Sequence, residues 1–336
     1  RGTNFIIQNC DLLLCIGTRL PFMVTGYNSK KFAENAKIIM VDIDENELNK
    51  KSLNLNLKIK SDAKEFAEIF FKKLKVTKKI NYDDNWLNYC RNIRKKYPIV
   101  LDEYKKQKKY VNSYYFIELL SKKLKPNDSI ITDMGLSFVG THQTFIAKKN
   151  QKLFTNSGHA PMGWGLPAAI GSYFASKKEN IICITGEGGL QMNIQEFATV
   201  QHHKIPLKIF IYNNGGYLTI KQTQQLGMKS RIMGSDKNSG LSFPNYKKIA
   251  DAHEIKYIKI SEHNTLIRKL SSILSSNKSV ICELIINPEQ DQKPKAINRR
   301  INGKSVATDF EDLYPFLPKK ELIKNQFKNY KTKEKK

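Results

Sequence analysis

Two short apolar runs on either side of a glycine-rich turn constrain the fold of this chain most. Residues 181–185 and 207–213 have the length and apolar composition of buried strands, and residues 193–202 between them show helical spacing. A strand, a helix and a second strand in this order predict parallel pairing, because the crossover helix returns the chain to the same end of the sheet. The chain is therefore expected to contain an α/β domain with a mostly parallel sheet.

The same alternation extends to both sides of this unit. Residues 113–124 and 158–175 are predicted to contain helices, and residues 129–133 and 280–286 are predicted strands, the last of which closes the sheet. We therefore place one domain at residues 111–290.

The rest of the chain divides into three parts. Residues 1–78 contain strand-like runs at 11–17 and 37–44 and an amphipathic helix at 64–74, which predicts a smaller α/β unit. Residues 79–110 are polar and basic and are predicted to be a linker containing one helix. Residues 291–336 contain scattered prolines and are predicted to be an irregular tail.

Composition excludes several classes of protein. The chain has 336 residues, 40% of them hydrophobic, which is enough for about two packed domains. Lys and Arg number 57 against 31 Asp and Glu, a net charge of +26, but the basic residues form no stripe, so no specific nucleic-acid partner is expected. No apolar run reaches the roughly 18 to 20 residues of a membrane helix, so no membrane partner is expected either.

The cysteines and the first residue bear on location and completeness. Five cysteines, without a Cys-x-x-Cys pair, lie mostly in apolar runs and indicate reduced thiols in a cytoplasmic protein. The chain begins at Arg1, close to a strand signal, and we expect it to be a fragment of a longer protein.

Polar side chains follow the two strands of the central unit where each strand ends. Glu187 lies between Gly186 and Gly188 after the first strand, and Asn213 and Asn214 end the second. Carboxyl ends of adjacent parallel strands meet at the edge where open sheets bind ligands. Carboxylate and amide oxygens there predict a Mg²⁺ site, although Glu187 alone could be a helix-start carboxylate and the asparagines an ordinary turn.

The glycines next to Glu187 indicate a binding site for a phosphate group. Gly188 and Gly189 carry no Cβ, so their backbone N–H groups can approach an anion at the start of the following helix. A substrate phosphate bound to the metal would account for both the oxygen side chains and the glycines.

These motifs resemble those of a known superfamily. Gly186-Glu187-Gly188, with Asn214 27 positions (214 − 187) beyond Glu187, resembles the thiamine-diphosphate motif of the acetolactate synthase and pyruvate decarboxylase superfamily. Residues 130–135 and 158–171 are similar to two further motifs, in the order of that superfamily.

The resemblance extends to both ends of the chain. Residues 10–19 and 36–44 resemble the second half of the superfamily's central domain, and residues 311–317 are similar to acetolactate-synthase-like enzymes of surface-polysaccharide genes. It implies α/β parallel-sheet sandwich domains: part of a central Rossmann-like domain, followed by a thiamine-diphosphate-binding domain.

The resemblance also implies roles for individual residues. Glu187 and Asn214 bind Mg²⁺ through their side chains, and Gly216 does so through its backbone carbonyl. Ala160 offers its carbonyl to the aminopyrimidine, and Met162 is the apolar wedge that bends the cofactor. The residues that contact the diphosphate are Gly135, Ser137, Gly188, Gly189, Tyr217 and Leu218.

The sequence departs from the superfamily pattern in three respects. Glu187 replaces the usual Asp, which moves the carboxylate outward by about one bond. Pro21, Phe22 and Met23 replace the acidic pair and the arginine of flavin-binding members, so FAD is not expected. Thr223 stands where acetolactate synthases place a tryptophan over the substrate pocket, which argues against acetolactate formation as such.

The resemblance leaves the catalytic residues open. The glutamate that activates the pyrimidine belongs to an N-terminal domain outside this chain, and the chain is expected to be inactive alone. Because two subunits form each site in this superfamily, a homodimer or homotetramer is implied. His159, in the glycine-rich loop, is either a proton shuttle or a hydrogen-bond partner of that loop.

The predicted function is a thiamine-diphosphate- and Mg²⁺-dependent enzyme, a lyase or transferase, acting on a 2-oxo acid. Decarboxylation would be followed by carbon–carbon bond formation or by aldehyde release. The alternative is a non-catalytic subunit or remnant that retains the cofactor-binding fold.

Overall fold

The computed structural model describes residues 1–26, 28–77, 84–176, 180–301 and 304–328. The chain forms two compact units, the first comprising Arg1–Pro98 and Lys293–Lys336 and the second comprising Ile99–Gln292. Among the described helices, none combines the length and apolar character needed to span a bilayer.

The described strands fall into two parallel sheets and one antiparallel hairpin. In chain order they are β1 (Leu12–Ile16), β2 (Lys37–Asp42), β3 (Leu57–Lys60), β4 (Ser129–Thr132), β5 (Lys152–Phe154), β6 (Ile181–Gly186), β7 (Lys208–Asn213), β8 (Lys256–Ile260), β9 (Val280–Ile285), β10 (Asn298–Ile301) and β11 (Lys304–Ala307).

The described α-helices are mostly short and connect these strands. In chain order they are α1 (Gly2–Asn9), α2 (Phe22–Thr25), α3 (Glu45–Leu48), α4 (Ala63–Val76), α5 (Asp84–Lys96), α6 (Asp102–Lys105), α7 (Ser113–Lys123), α8 (Leu136–Thr144), α9 (Gly165–Ser176), α10 (Glu187–Gln191), α11 (Phe197–His202), α12 (Leu218–Gly227), α13 (Tyr246–Ala252), α14 (His263–Leu274) and α15 (Lys319–Lys324).

The second unit is built on a six-stranded parallel sheet in the order β5-β4-β6-β7-β9-β8. Its central strands are buried on both faces because alternate residues of each strand enter different cores. In β6, Ile182 and Ile184 pack with α7 and α14, whereas Ile181 and Cys183 pack with α9, α11 and α13. The predicted α/β class with a parallel sheet is confirmed.

Helix starts in this unit follow the local sequence. The Asn112 side chain accepts hydrogen bonds from the N–H groups of Tyr114 and Tyr115 at the start of α7. Asn245 caps α13 in the same way through the N–H of Lys248. Such caps satisfy backbone donors that a helix leaves unpaired at its first turn.

The first unit contains the parallel sheet β1-β2-β3. Met40 and Val41 of β2, its central strand, are fully buried. Asp62 caps α4, the amphipathic helix that follows β3, by accepting from the N–H groups of Lys64 and Glu65.

The sheet edges differ from the sequence prediction. Residues 280–286 were expected to close the larger sheet, but β9 lies between β7 and β8, and β8 forms the edge. The Lys-Tyr-Ile-Lys-Ile sequence of β8 is only partly buried, so it lacks the continuous apolar run of an interior strand. Strands β3 and β5 were missed for the same reason, being short and largely exposed.

The predicted linker at 79–110 and the irregular tail at 291–336 also need correction where the structure describes them; residues 79–83, 302–303 and 329–336 lie outside the described residues. Helix α5 buries Tyr89 and Ile93 against Phe5 of the first unit, because these side chains share one face of the helix. The last segment returns to the same unit and contains the hairpin β10–β11 and helix α15. The Tyr89 hydroxyl donates to the carbonyl of Asn325 at 2.8 Å, which connects the two segments.

Candidate functional site

A cavity of about 240 Å³ lies in the second unit, at the carboxyl ends of β4, β6 and β7. These strands are neighbours in the sheet, so the loops that follow them meet at one edge. The cavity is lined by every residue that was predicted to hold cofactor or metal: Gly135, Ser137, Ala160, Met162, Glu187, Gly188, Gly189, Asn214, Gly216, Tyr217 and Leu218.

Glu187 is the buried carboxylate of this site, and its residue is 1% exposed. Its Oε1 accepts hydrogen bonds from the backbone N–H of Asn214 at 3.0 Å and from that of Gly216 at 2.9 Å. Burial raises the pKa of Glu187 to about 7, and the amide hydrogen bonds only partly oppose that effect. A buried carboxylate suits a cation as its partner.

The turn after β7 is held in a fixed shape. The Asn214 Oδ1 accepts from the N–H of Gly216 at 3.2 Å, and the N–H of Tyr217 donates to the Ser235 carbonyl at 2.8 Å. A Cβ on Gly216 would lie 2.2 Å from that same carbonyl oxygen, so only glycine fits there. The turn therefore presents Asn214 and Gly216 beside Glu187.

Two glycines after β6 leave room that any other residue would fill. A Cβ on Gly188 would lie 2.0 Å from Cε1 of Tyr217, and a Cβ on Gly189 would lie 2.4 Å from Oδ2 of Asp133. The backbone of this segment is thus in close contact with side chains from two neighbouring loops, which glycine at both positions permits.

Two longer helices begin at the cavity. Gly135, with φ +74°, is the N-cap of α8, and Tyr217 is the N-cap of α12. The Ser137 hydroxyl donates to the carbonyl of Met134 at 2.9 Å. Helix N-termini carry partial positive charge and unpaired N–H groups, so this end of the cavity favours an anion.

The glycine-rich loop before α9 supplies the opposite side. Ala160 adopts the left-handed conformation, with φ +51°, and Met162 is half-buried; both line the cavity. His159 is exposed and is not among the lining residues. Thr223 is also exposed, and its hydroxyl donates to the carbonyl of Thr219 within α12.

Three buried residues of the site were not singled out from the sequence. Tyr246 donates from its hydroxyl to the carbonyl of Glu187 at 2.9 Å, a contact that no sequence signal predicts because several helices and strand β7 separate the two residues in the chain. Tyr212 lines the cavity with a buried hydroxyl that has no partner among the described residues. Asp133 lines it too, and its position at the end of a predicted strand was the available signal.

The oxygen donors at this end of the cavity suit Mg²⁺. Among the described residues, no group of three or more His, Cys, Asp or Glu side chains is arranged so that it could hold a metal ion. The site offers one carboxylate, one amide and one backbone carbonyl, on Glu187, Asn214 and Gly216. Mg²⁺ commonly binds one or two protein carboxylates and completes its shell with water and substrate phosphate, so these residues fit it.

Comparison with known proteins gives matches along most of the chain. The family described as "Thiamine pyrophosphate enzyme, central domain" matches residues 1–69. The family described as "Thiamine pyrophosphate enzyme, C-terminal TPP binding domain" matches residues 133–284, which include the whole glycine-rich part of the cavity.

Curated relatives agree with these matches. The acetolactate synthase large subunit of Cyanidium caldarium is 31% identical over 308 residues, which cover 90% of this chain and 51% of the relative. The acetolactate synthase isozyme 2 large subunit of Escherichia coli K12 is 28% identical over 302 residues, covering 88% and 51%. The chain thus spans about half the length of the curated relatives it matches.

Proposed function

Because the chain belongs to the thiamine pyrophosphate enzymes, we propose that its cavity binds thiamine diphosphate, the same compound, together with Mg²⁺. We further propose that the complete protein decarboxylates a 2-oxo acid and then forms a carbon–carbon bond or releases an aldehyde. Its relatives are acetolactate synthases, so the proposed activity is acetolactate-synthase-like.

One observation carries this proposal. Residues from four separate segments, represented by Gly135, Met162, Glu187 and Asn214, line one cavity, although up to 79 positions (214 − 135) separate them in the chain. If these segments were ordinary turns without a shared function, there would be no reason for all the residues predicted to bind the cofactor and metal to meet at one edge of the sheet. The pairing of Glu187 with the backbone of Asn214 supports the metal site within it.

The chain's own residues have distinct tasks in this proposal. Glu187, Asn214 and Gly216 hold the Mg²⁺ that binds the diphosphate, and the starts of α8 and α12 stabilise the phosphate charge. Ala160 accepts from the aminopyrimidine, and Met162 supports the bend of the cofactor. When bound, thiamine diphosphate supplies the carbon nucleophile and the electron sink for decarboxylation.

Further parts of the proposal concern the whole protein. We propose that residues 1–78 are part of a central domain and that 111–290 are the cofactor-binding domain. The complete protein is proposed to be a cytoplasmic homo-oligomer acting in surface-polysaccharide sugar biosynthesis. The alternative is a non-catalytic subunit, which would release no CO₂ from any 2-oxo acid.

Calorimetry and a turnover assay test the proposal. The protein as its full gene encodes it is titrated with thiamine diphosphate in Mg²⁺ and in EDTA, and then supplied with a series of 2-oxo acids while CO₂ is measured. Mg²⁺-dependent binding with CO₂ release supports the enzyme. Binding without release for any 2-oxo acid supports the non-catalytic alternative, and no binding refutes the cofactor site.

A further inference from the structure

Asp133 follows β4 directly and contacts three separate segments around the cavity. Its carboxylate accepts from the N–H of Met134 at 2.8 Å and from the N–H of Gly163, with Oδ1 at 3.0 Å and Oδ2 at 3.2 Å. Oδ2 also accepts from the Thr185 hydroxyl at 2.9 Å. One side chain, on a residue 1% exposed, therefore connects the loop after β4, the glycine-rich loop and the end of β6.

The surrounding backbone leaves space for this carboxylate. A Cβ on Gly189 would lie 2.4 Å from Oδ2 of Asp133, and a Cβ on Gly165 would lie 3.0 Å from its Cβ. A side chain at position 189 would therefore displace the Asp133 carboxylate, and one at position 165 would press tightly against it. Such close packing on several sides fixes the carboxylate in one position.

Gly163 is held from two sides. Its N–H donates to Asp133, and its carbonyl accepts from Nδ2 of Asn193 at 2.7 Å. Gly163 has φ +86°, a backbone conformation that residues other than glycine rarely adopt. Ala160 and Met162, one to three residues earlier, line the cavity, so the anchoring of Gly163 sets their position.

We infer that Asp133 is a positioning residue that holds the glycine-rich loop, through the N–H of Gly163, in the conformation that presents Ala160 and Met162 to the cofactor. The inference rests on the proposed thiamine diphosphate site. An acceptor is needed at this position because the N–H of Gly163 is buried and would otherwise be left without a partner.

Tryptophan fluorescence allows a test that does not depend on activity. Trp164 directly follows Gly163 and is half-buried, and the only other tryptophan, Trp86, lies in the first unit. In a Trp86→Phe background, acrylamide quenching and the emission maximum report on the glycine-rich loop alone.

Three variants in that background separate positioning from general stability. Asp133→Leu removes every acceptor and keeps a side chain branched at Cγ, although leucine is the larger residue. Asp133→Asn keeps an oxygen for Gly163 and turns its amide toward Thr185, whose hydroxyl can donate to the Gly186 carbonyl instead. Thr185→Val, the matched control, removes one buried hydrogen bond to the same carboxylate and leaves the loop contact in place.

The expected results differ between these variants. Asp133→Leu should raise Trp164 quenching about twofold and weaken thiamine diphosphate binding in Mg²⁺ about tenfold or more, because the loop loses its anchor. Asp133→Asn should restore both values to within about threefold of the parent. Thr185→Val should lower thermal stability but leave quenching and affinity near those of the parent. Asp133→Ala replaces the leucine variant if that one does not fold.

Each outcome decides the inference. Unchanged quenching and affinity in Asp133→Leu or Asp133→Ala would overturn it, as would failure of Asp133→Asn to restore them. Equal losses in Thr185→Val would assign Asp133 a stability role only. If the parent protein does not bind thiamine diphosphate, the proposed function fails, and the quenching measurements alone then decide whether Asp133 positions the loop.

Discussion

The carboxylate of Glu187 accepts a hydrogen bond from the backbone N–H of Asn214 at 3.0 Å, across two neighbouring strand ends. The same oxygen accepts from Gly216 at 2.9 Å, so one buried side chain orients the turn that carries both other proposed metal ligands. The geometry of this pair leads to the first prediction.

Glu187→Ala and Asn214→Ala should each abolish Mg²⁺-dependent binding of thiamine diphosphate, because each removes one oxygen ligand of the metal. Both variants should keep their far-UV circular dichroism. Calorimetry in Mg²⁺ and in EDTA measures the effect, and Glu262→Ala, at an exposed carboxylate before α14, is the control. Full affinity in either variant would show that the metal assignment is wrong.

Gly188→Ala should weaken thiamine diphosphate binding by about tenfold or more, because the added methyl group would lie 2.0 Å from the Tyr217 ring and displace it from the cavity. Gly171→Ala is the matched control, since a Cβ there meets nothing within 4 Å. The control should bind normally and unfold at the same or a slightly higher temperature. Equal affinity in both variants would contradict a cofactor cradle at Gly188.

Because Lys208 is buried, we expect the free energy of unfolding to depend on pH. The residue is 1% exposed, and burial lowers the pKa of its ammonium to about 8. Between about pH 8 and the ordinary value of 10.5, the folded protein binds fewer protons than the unfolded chain, so the free energy of unfolding should rise with pH across that window. At neutral pH, the lowered pKa of Lys208 reduces the free energy of unfolding by roughly 3 kcal/mol.

Lys208→Met should remove this rise and increase the free energy of unfolding at pH 7 by about 1 to 3 kcal/mol. Lys256→Met is the control, because Lys256 pairs with Val280 from the other side but is exposed. Urea unfolding at several pH values measures both variants. A wild-type slope that persists in Lys208→Met would assign it to other groups.

The purified full-length protein should be colourless. Pro21, Phe22 and Met23 replace the charged residues that hold FAD in flavin-binding members, and Met23 is 56% exposed, without the guanidinium that such a contact uses. Visible absorption after dialysis measures this. A retained flavin band would contradict the prediction and favour a true acetolactate synthase.

The full-length protein should form a dimer or a dimer of dimers, because the proposed site needs a domain from a second subunit. The loops around Gly135, residues 158–163 and residues 215–217 should be covered in that assembly. Light scattering, followed by an activity assay on each fraction, tests this. An active monomer with undiminished turnover would refute the shared site.

Much of the site followed from the sequence because its signals are local. Strands such as β6 and β7 are buried on both faces and therefore have continuous apolar sequences, and the residues at their ends are fixed by chain order. The parallel pairing of β6 with β7 then brings Glu187 close to Asn214 without any long-range information.

The tertiary structure alone decided the contacts that cross between distant segments. Tyr246 reaches Glu187, and Asp133 reaches Gly163, through side chains whose partners lie 30 or more residues away. Such hydrogen bonds leave no periodic pattern, because a buried donor needs only one acceptor, from anywhere in the chain. The edge strand β8 and the returning segment after Lys293 were decided in the same way, since partial burial gives weak patterns that become stable only when packed.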